Sequence, residues 1–435
     1  MYKALRKRIE DKSAKIGVIG LGYVGLPLAC AFARAGFDVV GIDTSAKRVK
    51  AIKNGRSYIM DVPADEIKEL VSRKKLAASL DYRAVGKLDV AVICVPTPLS
   101  KTREPDISFI MSAIRNIIRH KRKGQLYILE STTYPGTTQE MLLPKFEEGG
   151  FTADRDFFLA FSPERVDPSN MAYTTETIPK VVGGVTAKST ALAEALYKSI
   201  TTDVISVSSS SVAEMAKLLE NTFRSVNIGL VNELALMCEK LKVDVWEVIR
   251  AAGTKPFGFM PFYPGPGIGG HCISIDPLYL SWKARLHGFE SRFIELADNI
   301  NSAMPRYVVS RVISALNKRR KPVKDCRILV LGMAYKKDVN DTRESPSYEI
   351  IRLFLEEEAR VSYHDPYVPS VKTNGKALKS SKLRKDFLKR QDCVILATGH
   401  TCLDYKRISR YSKLIFDARD AFRRANVRGR HIIRL

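Results

Sequence analysis

Short apolar runs, each closed by glycine, proline or a polar turn, alternate with amphipathic stretches through the first third of this chain. Lys15-Ile16-Gly17-Val18-Ile19 is such a run, and residues 26–35 form the amphipathic stretch after it. Residues 38–42, 88–95, 126–129 and 157–161 repeat the apolar pattern. Runs this short and this apolar read as strands buried on both faces, as in a parallel sheet whose connections are helices. From 208 to 241 the strands vanish and the spacing is that of one long helix, capped by a serine of the 208–211 run. Further helices are expected at 245–252, 277–286 and 290–318. The strand pattern then restarts at 326–331, followed by a helix at 348–358 and strands at 360–363, 393–397 and 414–417. The expected fold is α/β: two Rossmann-like, doubly wound domains, 1–209 and 321–435, joined by a helical middle domain, 210–320.

A length of 435 residues agrees with several domains, since single cores stop growing near ~250–300 residues. No apolar run is long enough for a spanning helix, and residues 1–15 lack the apolar centre of a signal peptide. A cytoplasmic protein without membrane attachment is expected. Seven cysteines scattered without a Cys-x-x-Cys pair fit neither a disulfide framework nor a zinc site, so no metal is expected. The 71 Lys and Arg exceed the 47 Asp and Glu, giving a formal charge of +24 that attracts phosphate-bearing partners. The densest clusters, His120-Lys121-Arg122-Lys123 and Lys318-Arg319-Arg320-Lys321, follow helical stretches and precede Gly124 and Pro322. Cations there complement a helix C-terminus, and with no recognisable nucleic-acid module nucleic acid is not the expected partner.

The first strand runs into Gly20-Leu21-Gly22-Tyr23-Val24-Gly25, and the second strand ends in Asp43. Strand, Gly-x-Gly-x-x-Gly, helix, strand and terminal acid together form the dinucleotide fingerprint. Gly20 serves the tight turn, Gly22 the approach of a pyrophosphate and Gly25 the packing of helix on strand, with Tyr23 and Val24 between them at the cofactor. Asp43 would accept hydrogen bonds from the adenosine ribose, which selects NAD; Arg48 leaves NADP open, and the same Asp also suits a turn. Later strands end in Thr97, in Thr133 and in Ser162-Pro163-Glu164-Arg165-Val166-Asp167-Pro168, and polar residues at such ends face the ligand crevice. Thr97 and Thr133 serve equally well as turn formers and helix caps.

Pro264-Gly265-Pro266-Gly267-Ile268-Gly269-Gly270-His271-Cys272-Ile273-Ser274-Ile275-Asp276-Pro277 can continue neither a helix nor a strand in its first half. Asp276-Pro277 reads as a helix start with Asp at the N-cap and Pro at the first helical position. Cys272 would then lie near the positive end of a helix dipole, which favours the thiolate of a nucleophile. A buried, inert Cys is the alternative. On the long helix, Lys217, Asn221, Arg224, Ile228 and Asn232 share one face and suggest a site or an interface. Residues 332–346, polar and basic where the first half has its glycines, suit a nucleotide of another kind.

Taken in order, Gly-x-Gly-x-x-Gly, Val-Pro-Thr-Pro (95–98), Glu-Ser-Thr-Thr-x-Pro-Gly (130–136), Ser-Pro-Glu-Arg (162–165), Lys-Leu-Leu-Glu-Asn (217–221), Gly-x-Gly-Gly-His-Cys-x-x-x-Asp (267–276) and Lys-Lys-Asp-x-x-Asp-Thr-Arg-Glu-Ser (336–345) resemble the UDP-glucose/UDP-mannuronate dehydrogenase family over nearly the whole chain. The resemblance implies an NAD-dependent oxidation of a nucleotide sugar at C6, from alcohol to carboxylate, with two hydrides passed to two NAD. It implies Cys272 as the nucleophile that holds the aldehyde, with Lys217 and Asn221 stabilising the oxyanion. Asp276 would activate water, and Glu164 with Thr133 would position water or move a proton. It further implies a sugar-nucleotide site built from Tyr263, Gly265, Gly267 and Gly269 of the loop together with Glu164, Arg165, Lys217, Asn221 and Arg224. Lys336 would reach the uridine end and Arg343 the cofactor, with the site between the two α/β domains. The long helix resembles the family's dimerisation helix, so a homodimer is expected.

His271, Pro264-Gly265-Pro266-Gly267 and Asp276-Pro277-Leu278-Tyr279-Leu280-Ser281-Trp282-Lys283 resemble the UDP-N-acetylhexosamine branch, and UDP-N-acetylglucosamine first within it. UDP-N-acetylmannosamine is the runner-up. Gly-Gly-His-Cys-Ile-Ser-Ile-Asp and Pro168 depart from the UDP-glucose pattern. Such products feed surface polysaccharides. A nucleotide-binding protein in which Cys272 is structural, or which carries out a single oxidation, is the competing expectation.

Overall fold

The computed structural model describes residues 1–59, 62–100, 102–166, 176–373 and 375–435, leaving aside the side chains of His271 and Lys376. Asp167 and Pro168 lie outside the described residues. The chain forms two compact units, Met1–Glu220 with Leu278–Gly288, and Asn221–Pro277 with Phe289–Leu435.

The first unit is built on a sheet of eight strands: β1 (Lys15–Ile19), β2 (Asp38–Ile42), β3 (Leu76–Ser79), β4 (Val90–Ile93), β5 (Gln125–Leu129), β6 (Phe157–Phe161), β7 (Lys180–Gly184) and β8 (Val204–Ser206). Their order across the sheet is 3-2-1-4-5-6-7-8. The central strands β4, β5 and β6 are buried at every position. That is why the sequence shows them as unbroken apolar runs. One face of the sheet packs Ile16, Val18 and Val92 against Ala29 and Phe32; the other packs Ile93, Leu129 and Phe161 against Ile114 and Phe146. Strands β1 to β6 are mutually parallel, whereas β7 runs antiparallel to β6. Between β1 and its neighbours β2 and β4 the strand order reverses, the point at which such sheets bind ligands.

The second unit carries five parallel strands, β9 (Arg327–Leu331), β10 (Arg360–His364), β13 (Cys393–Leu396), β14 (Ile415–Asp417) and β15 (Ile432–Arg434), in the order 10-9-13-14-15. A hairpin of β11 (Ser370–Thr373) and β12 (Lys376–Lys379) stands apart. The helices Ser210–Leu241, Val245–Ala252 and Arg292–Asn317 fall where the periodicity predicts. Asp244 caps the second of these, its Oδ1 accepting the N–H groups of Trp246 at 3.0 Å and Glu247 at 3.2 Å.

One expectation is corrected. The helix predicted from Pro277 begins at His271 and runs to Leu286, with Pro277 inside it and Asp276 no cap. The left-handed residue Gly270, φ 82°, ends the loop and lets the helix start six residues early, and the Ser274 hydroxyl donates to the Gly270 carbonyl at 2.5 Å. Cys272 is therefore the second residue of the helix, closer to its positive end than the sequence suggests. The basic cluster at 120–123 does more than follow a helix. Lys121 donates to the carbonyls of Phe146 and Glu148, and Arg122 binds the Leu88 carbonyl and the Asp89 carboxylate, each at 2.6 Å, tying connections together. Among the described residues no helix is long and apolar enough to cross a membrane.

Candidate active site

The glycine turn after β1 is shaped for a dinucleotide. Gly20 has φ 92°, and a Cβ there would stand 2.4 Å from the Cys94 carbonyl oxygen. A Cβ on Gly25 would meet the Gly20 carbonyl oxygen at 1.8 Å, so the helix Gly25–Arg34 rests directly on the turn. A Cβ on Gly22 would meet nothing within 4 Å among the described residues, so that side of its backbone stands open, as the approach of a phosphate to the helix N-terminus requires. Tyr23 is exposed and Val24 leads into the helix. Asp43, buried at the end of β2, accepts the Leu21 N–H at 2.8 Å and the Ser45 N–H at 2.7 Å, and so braces the turn. Arg48 Nη1 lies 3.2 Å from Asp43 Oδ2, an ion pair that commits the guanidinium to the acid rather than to a 2′-phosphate. These features fit NAD. Gly25→Ala is expected to push the helix off the turn and weaken NAD binding at least ~10-fold in a fluorescence titration, about 1.4 kcal/mol. An unchanged Kd would mean that this packing does not shape the cofactor site.

Because β4, β5 and β6 are parallel, Thr97, Thr133 and Glu164 follow strands that end at one edge of the sheet. Thr97 and Thr133 are buried. Thr137 donates its hydroxyl proton to the Tyr134 carbonyl at 2.7 Å, so Thr133 Oγ1 is the donor in its 2.6 Å bond to Thr137 Oγ1. Glu164 accepts the backbone N–H groups of Arg165 at 2.8 Å and Val166 at 2.6 Å, and its Oε2 lies 3.3 Å from Lys180 Nζ. Burial drives this carboxyl up, but Lys180, the Val166 amide, Glu130 and Lys217 outweigh burial and hold it below the usual range. Lys180 also pairs with Glu130, whose other oxygen accepts the Tyr197 hydroxyl at 2.5 Å. Arg165 is fixed by the Pro179 carbonyl and by Glu220, both at 2.7 Å. Lys217 is 8 % exposed. One turn before it, Glu214 is fully buried and accepts the amides of Gly136 at 2.6 Å and Thr138 at 2.9 Å together with the Thr138 hydroxyl.

The glycine loop before Cys272 belongs to the second unit and is pressed onto it. A Cβ on Gly269 would stand 2.5 Å from Tyr335 Cβ, one on Gly270 2.8 Å from the Tyr335 ring, and one on Gly265 2.4 Å from an Arg419 nitrogen. Close backbone approach therefore explains the glycines. The Gly270 N–H donates to the Arg343 carbonyl at 2.9 Å, and the Gly265 N–H to Asn232 Oδ1 at 2.9 Å. Asn232 in turn donates to Asn301 at 2.8 Å. Tyr263 stacks on Trp246 at 6.1 Å between centroids, and the indole N–H donates to the Leu435 carbonyl at 2.9 Å. Cys272 is exposed on the first helical turn. Arg343 binds Asp341 through two nitrogens, Nη2 at 2.6 Å; those bonds, and in smaller part the nearby Cys272, raise its pKa above the ordinary guanidinium. Asn221 Nδ2 donates to Asp276 Oδ2 at 2.5 Å, and both side chains are buried. Lys336 is half-buried, and Arg224 faces solvent.

The first unit thus gathers Glu164 with Lys217, and the second gathers Cys272 with Arg343 and Asn221 with Asp276. Residues that the sequence reading left without a role are Glu130, Lys180, Tyr197 and Glu214 in the first unit and Arg419 in the second. Burial, and Arg424 beside it, bring the Arg419 guanidinium down to about 10, against the pull of Asp417. A lysine opening an apolar run reads as solvated, so Lys180 could be found only once β7 was known to reverse.

Three family models match the chain in succession. They are the NAD binding domain (14–201), the central domain (211–303) and the UDP binding domain (329–424) of the UDP-glucose/GDP-mannose dehydrogenase family. A UDP-N-acetyl-D-glucosamine 6-dehydrogenase of Pseudomonas aeruginosa is 38% identical over 359 residues, covering 82% of this chain and 84% of its own. A UDP-N-acetyl-D-mannosamine dehydrogenase of Pyrococcus horikoshii is 36% identical over 93% of this chain and 95% of its own. A solved structure of a UDP-D-ManNAc dehydrogenase from Pyrococcus horikoshii superposes with a TM-score of 0.88 at 34% identity, covering 97% of this chain and 98% of that one. The chain belongs to the UDP-glucose/GDP-mannose dehydrogenase family, the NAD-dependent nucleotide-sugar dehydrogenases, with their NAD-binding, central and UDP-binding domains in that order.

Proposed function

We propose that this enzyme oxidises C6 of a UDP-N-acetylhexosamine, UDP-N-acetylglucosamine first, from primary alcohol to carboxylate. Working as a cytoplasmic homodimer, it would supply a uronic acid for surface polysaccharide. The observation that carries this reading is Cys272 on the first turn of its helix, next to Arg343 and held by a glycine loop that lies against Tyr335 of the UDP-binding segment. When bound, NAD accepts the hydride in each of two oxidations. The residues of the chain do the rest. Cys272 Sγ adds to the C6 aldehyde, giving a thiohemiacetal; loss of a second hydride leaves a thioester, and water cleaves its C–S bond to return the thiol and release the acid. The balance is one alcohol, two NAD and one water to one carboxylate, two NADH and three protons. Lys217 and Asn221 stabilise the oxygen charge that develops at C6 in these steps. Asp276, bound to Asn221, activates the hydrolytic water, and Glu164 with Thr133 positions that water or takes up its proton.

The relatives named as acting on UDP-N-acetyl-D-mannosamine favour that sugar as the second reading. Exposed apolar residues recurring along the long helix, Leu219, Phe223, Leu230, Met237 and Leu241, support the homodimer. The functional limits we assign to the domains are 1–209, 210–320 and 321–435. The test is the amount of NADH formed per sugar, run to completion with UDP-N-acetylglucosamine, UDP-N-acetylmannosamine, UDP-N-acetylgalactosamine and UDP-glucose. Two NADH per sugar are expected, fastest with UDP-N-acetylglucosamine. One NADH per sugar would rule out the thioester route, and a faster rate with another sugar would reassign the substrate.

A further inference from the structure

Lys180 joins a buried carboxylate, Glu130, to a half-buried one, Glu164, and the reaction above gives the two unequal work. Its position follows from the direction of β7. That strand is antiparallel to β6, so its first residue stands at the edge where β5 and β6 finish and the loops bearing Glu130 and Glu164 begin. The side chain is 4 % exposed, and its Nζ touches Glu130 Oε1 while lying 3.3 Å from Glu164 Oε2. The groups facing this cluster are Glu130 after β5, Glu164 after β6, Tyr197 from the helix Ala187–Tyr197, Cys94 after β4 and Lys217 from the long helix.

One ammonium between two carboxylates leaves a surplus negative charge where water is scarce, and a proton relieves it. The two acids are not equivalent hosts for that proton. Glu164 accepts two backbone N–H groups, which favour its ionised form; Glu130 is more deeply enclosed and is held by the Tyr197 hydroxyl and Lys180. Burial accordingly lifts Glu130 to about 7, with Glu164 adding to the rise and Lys180 opposing it.

We propose that Lys180 is a positioning residue for Glu164: it aims the Glu164 carboxylate and keeps it ionised for proton transfer, while Glu130 on its other side sets how much of the ammonium's charge Glu164 receives. This rests on the reading of Glu164 as a proton-handling group. When Glu130 is protonated, the lysine serves Glu164 alone; when Glu130 is ionised, the two acids compete for it. Lys180 touches neither substrate nor cofactor in this role.

The test combines the pH profile of kcat with carboxyl-carbon NMR of protein labelled at the glutamate δ-carbon, in which Glu164→Gln and Glu130→Gln identify the two resonances. In Lys180→Met the Glu164 titration is expected to move up by about one pH unit or more, and the acid limb of kcat to move with it. KM for NAD and for the UDP-sugar should stay within about threefold. Lys180→Arg should restore both readouts, and Glu130→Gln should leave the limb at or below its original position. Should Lys180→Met fold poorly, Glu130→Gln/Lys180→Met removes the buried partners together and should show the same raised titration. An unmoved Glu164 titration in either folded variant overturns the proposal. A Glu164 titration that moves while the kcat profile stays fixed supports Lys180's hold on Glu164 but overturns Glu164's part in proton transfer, so the two failures are distinct.

Discussion

Cys272→Ala is expected to form no uronic acid: carboxylate production should fall at least ~10³-fold, while the Kd values for NAD and the UDP-sugar stay within about threefold. The residue is exposed on the first helical turn, and its removal opens no cavity in the core. Without the sulfur the thiohemiacetal of the proposed route cannot form, so at most one NADH per sugar should appear, with aldehyde as the product. Mass spectrometry of the quenched reaction distinguishes aldehyde from acid. Acid made at the original rate would mean that Cys272 is structural and that the chain oxidises its substrate by another route.

The second large effect belongs to Lys217. Replacing it with methionine keeps the bulk of a buried stem and removes the ammonium, and kcat should drop by about 10² to 10³-fold with KM changed only a few-fold. In the proposed route both hydride steps and the hydrolysis place charge on the same oxygen, so every step should be slowed. Lys217 also helps hold Glu164 ionised, and an effect through that acid alone would be recovered at higher pH. The loss should instead persist across the alkaline range; recovery there would recast Lys217 as a partner of Glu164. Arginine should rescue poorly, since a planar fork does not replace a point charge in a buried position.

Most strands that the sequence announces are buried on both faces, β4, β5, β6, β13 and β14 at every position and β1 and β9 at all but the first, and such strands have little choice but to be apolar; β2 and β10, partly exposed, are announced by their place in the alternation with helices. Strand β3 escapes because Leu76 points in and Ala77 out over only four residues. Strand β7 escapes because it opens with Lys180, and no local rule says that a lysine will be covered by the loops of two neighbouring strands. The glycine fingerprint is legible because its spacing answers to a turn that can be built only one way. The start of the Cys272 helix is not, since Asp276-Pro277 is a good cap signal that a left-handed Gly270 pre-empts six residues earlier. Glu214 shows the same limit from the other side: within a helical pattern a glutamate reads as solvated, and only the fold reveals that two amides and a hydroxyl from 136–138 close over it.

The glycines of the loop before Cys272 bear on how relatives of this enzyme can exchange parts. Gly265, Gly267, Gly269 and Gly270 are shaped to Arg419, Pro346 and Tyr335, which lie 65 or more residues further along the chain. A recombinant that took 327–435 from one parent and 264–277 from another would bring a foreign surface against four glycines that have no side chain to yield. Crossovers that keep the two segments from one parent should survive, and those that part them should cluster among the inactive offspring. In heredity the loop and the last hundred residues behave as a single locus, although more than a helix's length of sequence separates them.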